Sequence, residues 1–177
     1  MLNKWLGWIA LVLPWLSLFV MKRNSIYRYM PVSILAALLL TIVSEIAYRY
    51  KWWEIKTSIV PWGYVTGVSF TFGVFMVGMM WVCHFTFGRV WLYVVINLAL
   101  DLFFSYVGIP IAERMGIWGM VNAKQYHIFL IMTGLSFMLY LYQLWQERAY
   151  RKLEEEDGEE LTIRISTPTW GTREKAK

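Results

Sequence analysis

The sequence predicts an all-α, polytopic transmembrane helical bundle of about five spanning helices, and three observations carry that prediction. Of the 177 residues, 58% are hydrophobic and 18% aromatic while only 16% are charged, against about a quarter charged in soluble domains. The apolar residues gather into five runs, each near the ~20 residues needed to cross a hydrocarbon core of roughly 30 Å. Charged residues fall mostly between the runs. An unpaired backbone amide is costly in lipid, so helix is the state open to each run.

The first run, residues 2–21, carries Lys4 and superficially resembles a secretory signal. It is followed by Lys22, Arg23 and Asn24 rather than a small-x-small cleavage site, so it reads as an uncleaved span. Pro14 inside it predicts a kink rather than a stop, since membrane helices tolerate proline where neighbours re-satisfy the backbone. The second run covers residues 30–48. The third, 60–85, is long enough for tilt or a bend near Gly73. Its outer part holds Gly63 and Gly67, a GxxxG spacing that lets helix backbones pack closely. The fourth and fifth runs cover 90–109 and 128–145, leaving connections at 22–28, 49–58, 84–89 and 110–127.

Residues 1–148 are thus expected to form the bundle and 149–177 a charged, flexible tail. The tail contains an acidic run at 154–160, broken by Gly158, and then the alternating LTIRIS of residues 161–166. Alternation suggests a short strand, which is unstable alone, so this piece is either disordered or pairs with another chain by strand addition.

Lys and Arg near the spans set orientation. Lys4, Arg49, Lys51, Lys56, Arg114 and Lys124 fall on one side. Lys22, Arg23, Arg28, Arg89, Arg148, Arg151 and Lys152 fall on the other. With the tail included, this predicts a multi-pass plasma-membrane protein with its N-terminus outside and its C-terminus cytoplasmic. Trp5, Trp8, Trp52, Trp53, Trp62 and Trp118 are expected at one interface and Trp81, Trp91 and Trp145 at the other, as aromatic belts. The stretch at 50–62 reads as a lipid anchor in preference to an aromatic ligand cage.

Ionisable groups inside the hydrocarbon mark function by default. Asp101 lies past the middle of the fourth run, with Asn97 and Ser105 at i−4 and i+4 on the same helix face. That stripe must face the bundle interior or a wet cavity, in either a ligand-binding or a structural hydrogen-bonding role. Glu45 lies a turn from the end of the second run. It is either an i, i+4 ion-pair partner of Arg49 or a second acid beside Asp101. His84 and His127 fall at span boundaries without other ligands at metal spacing, so no metal is predicted. Cys83 is a lone thiol in an apolar run, without a disulfide partner.

No HExxH, GxSxG or Walker motif occurs, nor a paired intramembrane aspartate, which disfavours an enzyme; no cofactor is indicated. A net charge of +5 scattered among apolar runs excludes nucleic acid and suits anionic headgroups. The lipid bilayer is the expected partner, together with a protein partner or further copies of the chain, because five helices enclose little room for a private pore.

With the aromatic, basic RYKWWEIKTS of residues 49–58 and the SFTFGVF of 69–75, about the middle half of the chain resembles a family of small uncharacterised multi-span integral membrane proteins of spore-forming Gram-positive bacteria. The resemblance implies the multi-span organisation. It implies no activity and no site residues. Three functional readings stand: a non-enzymatic ligand-holding protein or assembly subunit, a substrate-binding component of a small-molecule transporter, and a lipid-modifying enzyme.

Overall fold

The computed structural model describes residues 2–61 and 63–166; Trp62 and residues 167–177 of the predicted tail lie outside them. Residues up to Tyr140 form one compact unit and those from Leu141 a second. The order is α1 (Leu2–Ser17, ending in a 3-10 turn at Leu18–Val20), α2 (Arg23–Arg49), β1 (Trp53–Ile55), a π-helical segment (Phe70–Phe75) running into α3 (Met76–Thr86), α4 (Val90–Phe103), a second π-helical segment (Phe104–Gly108) running into α5 (Ile109–Arg114), β2 (Trp118–Met120) and α6 (Gln125–Ser166).

The all-α character is present, and four helical stretches are long and apolar enough to cross a membrane: Asn3–Val20, Arg23–Arg49, Val90–Arg114 and Gln125–Arg151. The apolar helix Phe70–Thr86 is shorter. The long helices expose apolar flanks, with Leu13 62%, Leu38 55%, Phe103 62% and Phe137 63% accessible. Such surface suits lipid, since water-soluble monomers rarely carry contiguous apolar patches on every face. Three hydroxyls of α2 bond back to their own backbone, Ser33 Oγ to Tyr29 O (3.0 Å), Thr41 Oγ1 to Ala37 O (2.8 Å) and Ser44 Oγ to Leu40 O (2.8 Å), so these three need no water. α1 continues through Pro14.

The third run departs from its predicted bounds. Residues 56–61 and 63–67 form turns and irregular chain, so Gly63 and Gly67 precede the helix and do not form a helix-packing GxxxG. The cause is local. Pro61 offers no N–H and turns the preceding residue away from helix, Ser58 Oγ accepts from the Val60 N–H at 3.3 Å, and each glycine costs a helix about 1 kcal/mol relative to alanine.

The predicted 110–127 connection is likewise shorter, because the fourth helical run continues through the π-helical turn and Pro110, at the start of α5, to Arg114. The chain then reverses at Gly116 (φ 67), a left-handed conformation that glycine adopts without strain. β2 pairs antiparallel with β1 in the register Trp53 with Met120, Glu54 with Gly119 and Ile55 with Trp118. This ladder places the 49–58 and 110–127 connections at one end of the unit, where Asn3 Nδ2 also donates to Met115 O at 2.7 Å.

Strand alternation turns Trp53 and Ile55 inward and Glu54 outward. Trp53 therefore packs in the core with Leu40, Ala47, Ile109, Ile128 and Met132. Its ring lies 5.7 Å from that of Trp118, so within the predicted interfacial belt Trp53 is a core residue.

At the start of α6, His127 Nδ1 accepts the Lys124 N–H at 3.1 Å, the one half of a capping box that reaches back to the N-cap amide. At its other end the LTIRIS residues belong to α6 and form neither the expected strand nor a break. Extending an existing helix adds one hydrogen bond per residue fixed, whereas a strand without a partner gains none.

Candidate functional site

Two π-helical segments occur among the described residues. Such turns make up well under 1% of residues and are frequent at functional sites. They meet through Phe70 and Phe104, whose rings stack with centroids 4.6 Å apart and planes 13° off parallel. Beside that stack opens an apolar cleft of about 460 Å³. Leu6, Ala10 and Leu13 of α1 form one wall. Ile55 at the end of β1, with Ile59 and Gly67 of the irregular chain that follows, forms the second. Phe104, Ile109, Ala112 and Ile117 close the third. Asn3, Thr57, Ser58 and Ser69 supply the polar part of the lining.

The wall formed by α1 is held against the first π-helical segment by a close backbone approach. Pro14 lacks the N–H that would bond the carbonyl of Ala10 in a regular helix, and a Cβ on Gly73 would collide with that same Ala10 oxygen and lie 2.8 Å from the Leu11 Cα. Glycine alone fits there. Trp15 Nε1 donates to Phe72 O at 2.9 Å and Trp81 Nε1 to Ser17 Oγ at 2.9 Å, securing the contact at two further points.

The predicted polar stripe lies elsewhere, between α4 and α6. Asn97, Asp101 and Ser105 are all buried. Asp101 Oδ2 accepts from Thr133 Oγ1 at 3.1 Å, Asn97 Nδ2 donates to Tyr93 O at 2.9 Å within its own helix, and the Tyr93 hydroxyl donates to Ser136 O at 2.9 Å. Tyr93 stacks near Tyr140, with ring centroids 4.5 Å apart. Ser105 Oγ is buried without a hydrogen-bond partner among the described residues.

Glu45 sits on an exposed face of α2, whereas Asp101 is turned onto α6, so the two acids are not brought together. Cys83 is buried within α3, and His84 packs its ring against Trp81 and Phe85. Among the described residues no three His, Cys, Asp or Glu side chains gather in a metal-binding arrangement.

Sequence reasoning missed Thr133 and Ser136, the α6 side of the polar seam. Their signal is present, since Thr133, Ser136 and Tyr140 follow the i, i+3, i+7 spacing of one helix face. It also missed the cleft, whose walls come from three distant segments and carry no motif. Comparison of the chain with family models, with curated proteins and with solved structures finds no match.

Proposed function

We propose that this chain is a five-pass integral membrane protein that holds one amphiphilic, lipid-like molecule in the α1 cleft and performs no chemistry on it. The observation carrying the reading is the apolar cleft of about 460 Å³ walled by both π-helical segments, within the ~300–1,000 Å³ range typical of ligand sites. Its lining offers hydroxyls and one amide but no acid, histidine or thiol, which suits retention over catalysis.

The fifth pass is Phe70–Thr86. Its 17 residues span about 26 Å at 1.5 Å each, near the lower limit for a crossing, and residues 63–67 would complete it. Irregular backbone at that depth is tolerable where protein covers it, and α1 with residues 109–118 supplies such cover. Five passes put the termini on opposite sides, with the N-terminus outside by the Lys and Arg distribution. In this reading the Asp101 seam clamps α4 to α6.

The test is retention of lipid after gentle detergent extraction, read by native mass spectrometry on wild type and on Gly67→Leu. Gly67 borders the cleft, and a Cβ there meets nothing nearer than 3.5 Å, so the backbone accepts the larger side chain while the cleft fills. Wild type is expected to retain one lipid-like adduct that the variant loses. Equal retention by both proteins would contradict the reading.

A further inference from the structure

We propose that the seam between α4, the π-helical segment that continues it and α6 binds one sodium ion, ligated by the Asp101 carboxylate, the Ser105 hydroxyl and the Thr133 hydroxyl. Two features meet there. Asp101 is buried and lies beside the midpoint of the 25-residue apolar stretch Val90–Arg114, the depth at which an uncompensated charge is most costly. Among the described residues its carboxylate bonds the Thr133 hydroxyl, at 3.1 Å, and no basic side chain.

Ser105 supplies the second feature: it is 0% exposed, and its Oγ has no hydrogen-bond partner among the described residues. Ser33, Thr41, Ser44 and Thr86 of this chain each donate to the carbonyl four residues back, at 3.0, 2.8, 2.8 and 2.6 Å. The same pattern would tie Ser105 to Asp101 O. The π-helical segment instead pairs its backbone five residues back, as the Ile109 N–H does with Phe104 O, and Ser105 is left out of that register. Helical Cα–Cβ bonds tilt toward the N-terminus, so Ser105 leans over the turn that carries Asp101, on the same helix face.

A carboxylate in hydrocarbon is neutralised by a proton or by a cation. No carboxylate oxygen stands within hydrogen-bonding distance of Ser105 Oγ, so a proton on Asp101 leaves that hydroxyl unsatisfied, whereas an ion between the two engages both. Thr133 gives its hydrogen to Asp101 Oδ2 and keeps its oxygen lone pairs for the same ion. The ligand set is oxygen only, which suits a hard cation. With one carboxylate, a monovalent ion leaves the site neutral, while a divalent ion would leave a net positive charge in the bilayer. This site does not depend on what fills the α1 cleft.

The full-length chain, purified in mild detergent, is unfolded thermally in alkaline buffer containing sodium chloride or choline chloride at equal ionic strength. Wild type should melt higher in sodium, with a rise that saturates as mass action on one site requires. Asp101→Asn keeps an acceptor for Thr133 and deletes the charge; it should fold in choline and gain nothing from sodium. Ser105→Ala has no hydrogen bond to lose, so it should match wild type in choline. The sodium concentration giving half its rise should nonetheless increase by about tenfold or more, the scale of losing a supporting partner at a metal site. Equal melting of wild type in the two salts would overturn the assignment and leave Asp101 a neutral acid bridged to Ser105 by water. A sodium effect that persists in Asp101→Asn, or that is unchanged in Ser105→Ala, would overturn it as well. If circular dichroism in choline shows Asp101→Asn unfolded, the Ser105→Ala comparison decides alone.

Discussion

Replacing Gly73 by alanine adds a single methyl group where α1 leaves no room. A Cβ there would stand 2.8 Å from the Leu11 Cα and against the Ala10 carbonyl oxygen, both backbone atoms that no rotamer change can move aside. Non-bonded carbons rest at about 3.5–4.0 Å, so α1 would have to withdraw by at least 3.5 − 2.8, about 0.7 Å. Withdrawal also stretches the Trp15–Phe72 and Trp81–Ser17 hydrogen bonds.

Overpacking of this kind costs about 1–3 kcal/mol, and alanine's helix preference returns at most about 1 kcal/mol. With alanine's full preference subtracted, a net loss of about 0–2 kcal/mol follows from these two terms. Gly78→Ala is the control, because a Cβ at that α3 position meets nothing within 4 Å, and it should be neutral or slightly stabilising. Denaturant unfolding in detergent, followed by circular dichroism, compares the two directly. Gly73→Ala matching or exceeding Gly78→Ala in stability would refute the close packing of α1 on the π-helical segment.

The Asp101–Thr133 hydrogen bond predicts that Asp101→Asn is tolerated, whereas Asp101→Leu and Thr133→Val each lose about 1 kcal/mol, the scale of a hydrogen bond between membrane helices. In a double-mutant cycle the Leu and Val changes should be less than additive; an Asn variant as unstable as the Leu variant would remove the structural role. Trp53→Ala should lose about 3–5 kcal/mol by emptying a core site, measured as a fall in unfolding midpoint, and a loss under 1 kcal/mol would return Trp53 to the interface. Reporter fusions within residues 51–58 and after Lys152 should report opposite sides of the membrane, and a cytoplasmic signal from both would overturn the five-pass topology.

The helical runs were legible because lipid makes backbone pairing compulsory and a 20-residue apolar stretch has one way to achieve it. What stayed hidden was set by residues far apart in the chain. Residues 60–61 and 63–67 were read as helix because their composition is apolar, yet Pro61, Gly63 and Gly67 weigh against helix locally. Gly73 stood out only as a possible bend, since its use as a contact surface depends on Pro14 freeing the Ala10 carbonyl 63 residues earlier. Trp53 read as a belt residue because the strand that turns it inward exists only when 118–120 pairs with it. The polar stripe of Asn97, Asp101 and Ser105 was readable from helix spacing, as was its inward orientation. Its partner was not, because sequence spacing orders residues within one helix and says nothing about which helix stands opposite.

The most direct test of the cleft as a lipid site is photo-crosslinking in intact membranes with phospholipids carrying a diazirine near the acyl terminus, followed by peptide mapping of the adducts. A chain held in the cleft predicts labelling concentrated on Leu6, Ala10, Leu13 and Ile59, and its loss from these positions in Gly67→Leu. Labelling confined to lipid-exposed side chains such as Leu38, Phe103 and Phe137, with none on the inner face of α1, would contradict it.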